Sequence, residues 1–162
     1  MLGRPVARQF QLEGYAVRIF TRDPAYALEV MGDGYDIRAG DVEDPASLDR
    51  ALDGCDGVHI NLQGGNTAKQ LEAIEYQGVV NILKAASKAK VKRLSYISYA
   101  VDLENYLHVP YASVKHRAEQ AILAGDVPYT IFRATHFMDS LRLYFRDHQP
   151  VIIGDQPHRY HW

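Results

Sequence analysis

Apolar runs of strand length alternate with longer stretches of helical period along most of the chain, and that alternation restricts the fold to repeated βα units on a parallel sheet. Strands are predicted over 16–20, 35–39, 57–61, 93–97 and 129–133, each bounded by Gly, Pro or Asp. Helices are predicted near 5–12, 25–31, 46–52, 67–89 and 111–123. Gly14, Gly54 and Gly125 follow three of them as left-handed C-terminal caps, and Asp44 before Pro45 reads as an N-cap with proline at the first helical position. No repeat, low-complexity tract or Ser/Gly linker interrupts the pattern. With 162 residues, of which 47% are hydrophobic and 23% charged, the chain is sized for one globular domain with its own core.

The formal net charge of -2 and a pI near 6.4 give no electrostatic reason to expect nucleic acid or an anionic membrane as a partner. No apolar stretch approaches a membrane span, and the first residues lack the basic-then-apolar pattern of an export signal. A soluble, cytoplasmic protein is expected. The lone Cys55 allows no disulfide framework and no cysteine-based metal site, and it reads as a small buried residue. The seven histidines are scattered, and His158 with His161 has no third ligand at metal-site spacing, so no metal is expected.

The ordered run Leu2-Gly3-Arg4-Pro5-Val6-Ala7, Tyr15 to Phe20, Thr21-Arg22-Asp23-Pro24, Gly40-Asp41-Val42, Gln77-Gly78-Val79-Val80-Asn81, Tyr96-Ile97-Ser98, Lys115 with Glu119, and Val127-Pro128-Tyr129-Thr130-Ile131-Phe132-Arg133 resembles the NmrA-like, atypical branch of the short-chain dehydrogenase/reductase superfamily. The resemblance implies an NAD(P)-binding, Rossmann-like doubly wound sheet over 1–162. In that family a first strand runs into Gly-x-x-Gly-x-x-Gly, and Gly3 matches only the third glycine, which lets the helix pack close to the sheet. The chain is therefore expected to begin inside that turn, and 134–162 to form the start of an incomplete substrate-binding region. Ala134 stands where the family usually has proline.

Two consequences follow from the resemblance. The family's first strand lies between those predicted here at 16–20 and 57–61, so without it two sets of backbone groups lack partners. Either these edges pair with each other, or another chain supplies a strand, as a homo-oligomer or as a separate partner, or the fold is weakly stable and prone to aggregate. The pyrophosphate cradle keeps only Gly3 and Arg4 at a helix N-terminus.

Cofactor type is read at the end of the strand over 16–20. An acidic residue there accepts from the ribose 2′-hydroxyl of NAD, whereas Arg accommodates the 2′-phosphate of NADP. Thr21-Arg22 favours NADP over NAD, the alternative being a solvated arginine in a turn. The resemblance sets Asp41 and Val42 beside the adenine, although Asp41 also reads as a plain turn residue. Asn61 and the Leu62-Gln63-Gly64-Gly65 run lie at a strand's C-terminal edge, where ligands bind in open α/β sheets, or form only a flexible turn.

Tyr111-Ala112-Ser113-Val114-Lys115 carries the chemistry. Residues four apart share a helix face, so Lys115 can lower the Tyr111 pKa and make it a proton donor. With 11 tyrosines and six lysines, chance alone supplies about 0.4 such pairs, so position carries the weight. In reductases of the superfamily the Tyr protonates a carbonyl oxygen as hydride arrives, the Lys also holds the nicotinamide ribose, and a Ser, matched here by Ser98, steadies the oxygen. The loop from Ser98 to Tyr111 is shorter than in the classical enzymes, and Tyr111 reads equally as a half-buried aromatic. The aromatic stretch 137–145 lines a pocket or forms an amphipathic helix.

Three functions fit: an NADP-dependent oxidoreductase for a carbonyl or related small-molecule acceptor, a dinucleotide-sensing module without turnover, or a truncated product that does neither.

Overall fold

In a computed structural model, residues 2–99, 103–134 and 137 are described, with the backbone of 145–146 and 149–150. Helix α1 (Gly3–Leu12) leads into β1 (Arg18–Thr21), α2 (Pro24–Met31), β2 (Asp36–Ala39), α3 (Pro45–Leu52) and β3 (Gly57–Ile60). Next come α4 (Ala68–Leu71), a π-helical turn (Glu72–Gln77) and α5 (Gly78–Lys88). Strand β4 (Arg93–Tyr99), a 3-10 turn (Leu103–Tyr106), α6 (Pro110–Leu123) and β5 (Tyr129–Ala134) complete the βα series. The five predicted strands all form, within about two residues of their predicted bounds. Two short antiparallel strands, β6 (Phe145–Arg146) and β7 (Gln149–Pro150), were not foreseen.

The caps show why helices start where they do. Asp44 Oδ1 accepts from Ala46 N at 3.0 Å ahead of Pro45, as expected, and Asp23 before Pro24 repeats the device by accepting from Tyr26 N at 2.9 Å. Gly14 and Gly54 take positive φ, at 88° and 70°. Gly125 does not: α6 closes through Ala124 N to Gln120 O and Gly125 N to Ile122 O, so the terminus tightens without a left-handed residue.

The sheet is in two blocks. Strand β1 pairs in parallel with β2, and β3–β4–β5 form a second parallel block. Strands β1 and β3 do not pair, which removes the expectation that these edges close on each other. Helix α1 spans the junction: Gln11 Nε2 donates to Gly34 O ahead of β2, and the Phe10 ring packs edge-on against His59 of β3, centroids 6.3 Å apart. Arg18 of β1 adds a second link, donating from Nη1 to Ala51 O and Asp53 O at the end of α3 while its Nε holds Asp36. Cys55 is half-buried, and its Sγ lies 3.5 Å from Arg18 Nη1.

The core lies between the β3–β4–β5 block and the helices over one face. Ile60, Leu94 and Tyr96 meet Leu48 and Leu52 of α3, Val79, Ile82 and Ala86 of α5, and Ala118 and Ile122 of α6. Burial along β4 alternates with period two, putting Leu94, Tyr96 and Ser98 on the inward face. Among the described residues, no helix is long and apolar enough to cross a membrane.

Candidate functional site

Ser98 reaches the site because β4 runs one period past its apolar pair Leu94 and Tyr96. It is 4% exposed, and its hydroxyl has no hydrogen-bond partner, as is true of the Tyr96 hydroxyl. Buried polar atoms are normally satisfied, so an orphaned hydroxyl at the C-terminal end of a parallel strand marks a place for a ligand. Helix α6 brings Tyr111 and Lys115 to the same point, one turn apart.

The buried Lys115 does not stand free. Its Nζ lies 2.8 Å from Glu75 Oε2 and donates to Ile97 O at 3.2 Å. The contact with Glu75 is a charge pair without good hydrogen-bond alignment, because Oε2 finds no properly directed donor. Glu75 Oε1 accepts from Gly64 N at 2.8 Å. The ammonium also lies 4.8 Å from the Tyr96 ring centre and 5.6 Å from that of Tyr111.

This arrangement corrects one expectation. The Tyr111 phenol is pushed up to about 12, first by burial and then by the charge of Glu75 and by Tyr99. Glu75 answers the Lys115 charge, so the lysine does not depress the phenol. Tyr111 also packs edge-on against Tyr99, ring centres 6.2 Å apart. Burial drives the Tyr96 phenol upward too.

Asn61, Gly64, Glu75, Ser98, Tyr99, Tyr111, Lys115 and Phe137 line one cavity of about 410 Å³, within the range of small-molecule sites. Gly3 adjoins it: a Cβ built there would lie 3.9 Å from Asn61 Nδ2. The start of α1 carries no side-chain cap, leaving its first N–H groups to an outside acceptor.

Thr21, Arg22, Asp41 and Val42 do not line this cavity. Thr21 Oγ1 accepts from Asp23 N at 3.1 Å, and the exposed Arg22 forms no ion pair with another described residue. Asp41 is built into a turn, with Oδ1 accepting from Glu43 N and its backbone carbonyl accepting from Ser47 Oγ. Val42 is buried in the core. Of the stretch 137–145, Phe137 lines the cavity and Phe145 starts β6; 138–144 lie outside the described residues, as do His158 and His161. Among the described residues, no group of three or more His, Cys, Asp or Glu gathers as a metal site.

Glu75 was missed from the sequence. Its signal is weak: an acidic residue on the helical stripe that continues through Val79 and Ile82.

Residues 1–149 match the family described as NAD(P)H-binding. Over 141 residues the chain is 27% identical to Photosystem II assembly factor Ycf39 of Trieres chinensis, covering 86% of this chain and 44% of that protein. Triphenylmethane reductase of Citrobacter sp., solved with NADP(H), is 25% identical with a TM-score of 0.69, over 86% of this chain and 50% of that one. The enzyme WbmG of Bordetella bronchiseptica, solved with NAD and UDP, shares the fold at 24% identity and a TM-score of 0.71, over 82% and 49%. The chain thus spans half or less of the length of these proteins.

Proposed function

The chain belongs to the NAD(P)H-binding family, and on that footing we propose that it serves an NADP-dependent oxidoreductase acting on a carbonyl or related small-molecule acceptor. The observation that carries this reading is the meeting of Ser98, Tyr111 and Lys115 on one cavity, with the buried Ser98 hydroxyl left without a partner.

The residues present fit a dinucleotide. The uncapped start of α1 at Gly3 and Arg4 suits a phosphate, and Arg22 suits a 2′-phosphate. Lys115 suits ribose hydroxyls. The dinucleotide would supply hydride when bound. Ser98 Oγ donates a hydrogen bond to an acceptor oxygen in the cavity. Tyr111 lines the cavity beside Ser98 and carries the proton to be passed to that oxygen, a transfer that its raised pKa opposes.

A second reading is a dinucleotide-binding module without turnover. The Lys115 ammonium is engaged by Glu75, and Tyr111 is not acidified. Similarity to a protein named as an assembly factor points the same way.

Titration of NADPH and NADH into the purified chain, followed by nicotinamide fluorescence and then by oxidation in the presence of a carbonyl panel, separates these readings. NADPH binding with turnover supports the first; binding without turnover supports the second. Failure to bind either nucleotide overturns both.

A further inference from the structure

A nearly fully buried carboxylate forms part of the cavity wall. Glu75 is 1% exposed and sits on the π-helical turn between α4 and α5, a local widening of the helix that recurs at functional sites. It reaches two elements at once: Oε1 takes the amide of Gly64 in the loop after β3, and Oε2 meets Lys115 Nζ of α6. The loop is pressed onto it so closely that a Cβ on Gly64 would come within 2.7 Å of Glu75 Cγ. Isolating a carboxylate from water is costly, and a core position of this kind is ordinarily apolar.

We propose that Glu75 is the positioning residue of the site: it fixes the Lys115 ammonium in the cavity wall and ties the 61–66 loop to the same point. With the carboxylate in place, the ammonium is shared between Glu75 and Ile97 O and stays directed at the space beside Ser98 and Tyr111. Without it, a buried cation loses its counter-charge and turns toward water. The other titratable groups around Lys115 are the phenols of Tyr96 and Tyr111; Glu119, one turn on, is held by Arg133. The inference rests on the reading of Lys115 as a dinucleotide contact only for its effect on affinity.

Glu75→Gln and Glu75→Ala in the full chain test it by three measurements. In Glu75→Gln the side-chain resonance of Lys115, assigned with Lys115→Arg, moves to the position of a solvent-exposed lysine. NADPH binding weakens by about tenfold or more. The Gly64 amide keeps its protection from hydrogen exchange in Glu75→Gln, which retains an acceptor, and loses it in Glu75→Ala. A Lys115 resonance that stays in place overturns the proposal, as does unchanged or tighter NADPH binding. If the parent chain binds no NADPH, the functional reading fails, while the resonance and exchange measurements still decide the role of Glu75. If Glu75→Gln does not fold, Glu75→Gln with Lys115→Met is made: a folded double variant shows that the carboxylate answers the lysine charge, and an unfolded one overturns the proposal by making Glu75 a packing residue.

Discussion

Arg133 of β5 closes over Glu119 of α6 with two parallel bonds, Nε to Oε1 at 3.1 Å and Nη2 to Oε2 at 2.5 Å, although the arginine is half exposed and the carboxylate almost wholly buried. Truncating the arginine strands a buried charge, which costs more than the pair itself contributes. Arg133→Met is expected to lower stability by about 1–3 kcal/mol in urea unfolding, discounted for the exposed guanidinium. Adding Glu119→Gln should recover part of that loss.

Gly64 has no room for a side chain. A Cβ would meet Glu75 Cγ at 2.7 Å and Leu71 Cα at 3.1 Å, whereas at Gly57 it would meet only Arg93 O at 3.4 Å. Gly64→Ala should cost about 1–3 kcal/mol by overpacking, and Gly57→Ala much less. Paired thermal melts check the difference.

Arg22 decides the proposed nucleotide preference. Arg22→Glu is expected to weaken NADPH binding by about tenfold to a hundredfold, the range for a lost charged hydrogen bond, and to leave NADH binding nearly unchanged. Equal loss for both nucleotides would remove Arg22 from the 2′-phosphate.

Tyr111→Phe keeps the ring that packs on Tyr99 and removes only the hydroxyl. Under the oxidoreductase reading, the NADPH oxidation rate falls by about a hundredfold or more with unchanged nucleotide affinity. Under the non-catalytic reading, no measured property of the complex moves.

His59 sets an acid limb on stability. Burial holds its imidazole below the ordinary 6.5, while Nδ1 meets Ser95 Oγ at 2.8 Å and Nε2 has no partner. The unfolded chain therefore takes up a proton before the folded one does. Its contribution is present above pH about 6.5 and is lost as pH falls through the lower folded value. His59→Gln should flatten the stability profile in that window. At the alkaline end, raised phenols at Tyr96 and Tyr111 make stability fall as pH rises above about 10.

The alternation of apolar runs and the turn residues between them made the five βα strands legible, and Asp44-Pro45 located a helix start to the residue. Those signals are local. Gly125 misled because a helix can end by tightening its last turn as well as by turning left-handed. Lys115 was found by its spacing from Tyr111, but its charge partner was not, since the Glu75 contact joins two helices across the core. A π turn leaves no compositional trace, so 67–89 read as one uninterrupted helix. The neighbourhood of Tyr111 was legible; the sign of its pKa shift, set first by burial and then by Glu75, was not.

A straight α-helix can aim only one stripe of side chains at one target, since each residue advances about 100° around the axis. The π turn over Glu72–Gln77 acts as a phase shifter. Beyond it, α5 is clocked to the hydrophobic core through Val79, Ile82 and Ala86; before it, α4 is clocked to the loop through the Gln70 side chain, whose Oε1 accepts from Asn66 N and Thr67 N. Deleting one residue from the turn would restore a single phase and rotate one half against the other by about 100°. The core and the rim of the cavity would then compete for the same helix, and only one of them could be served.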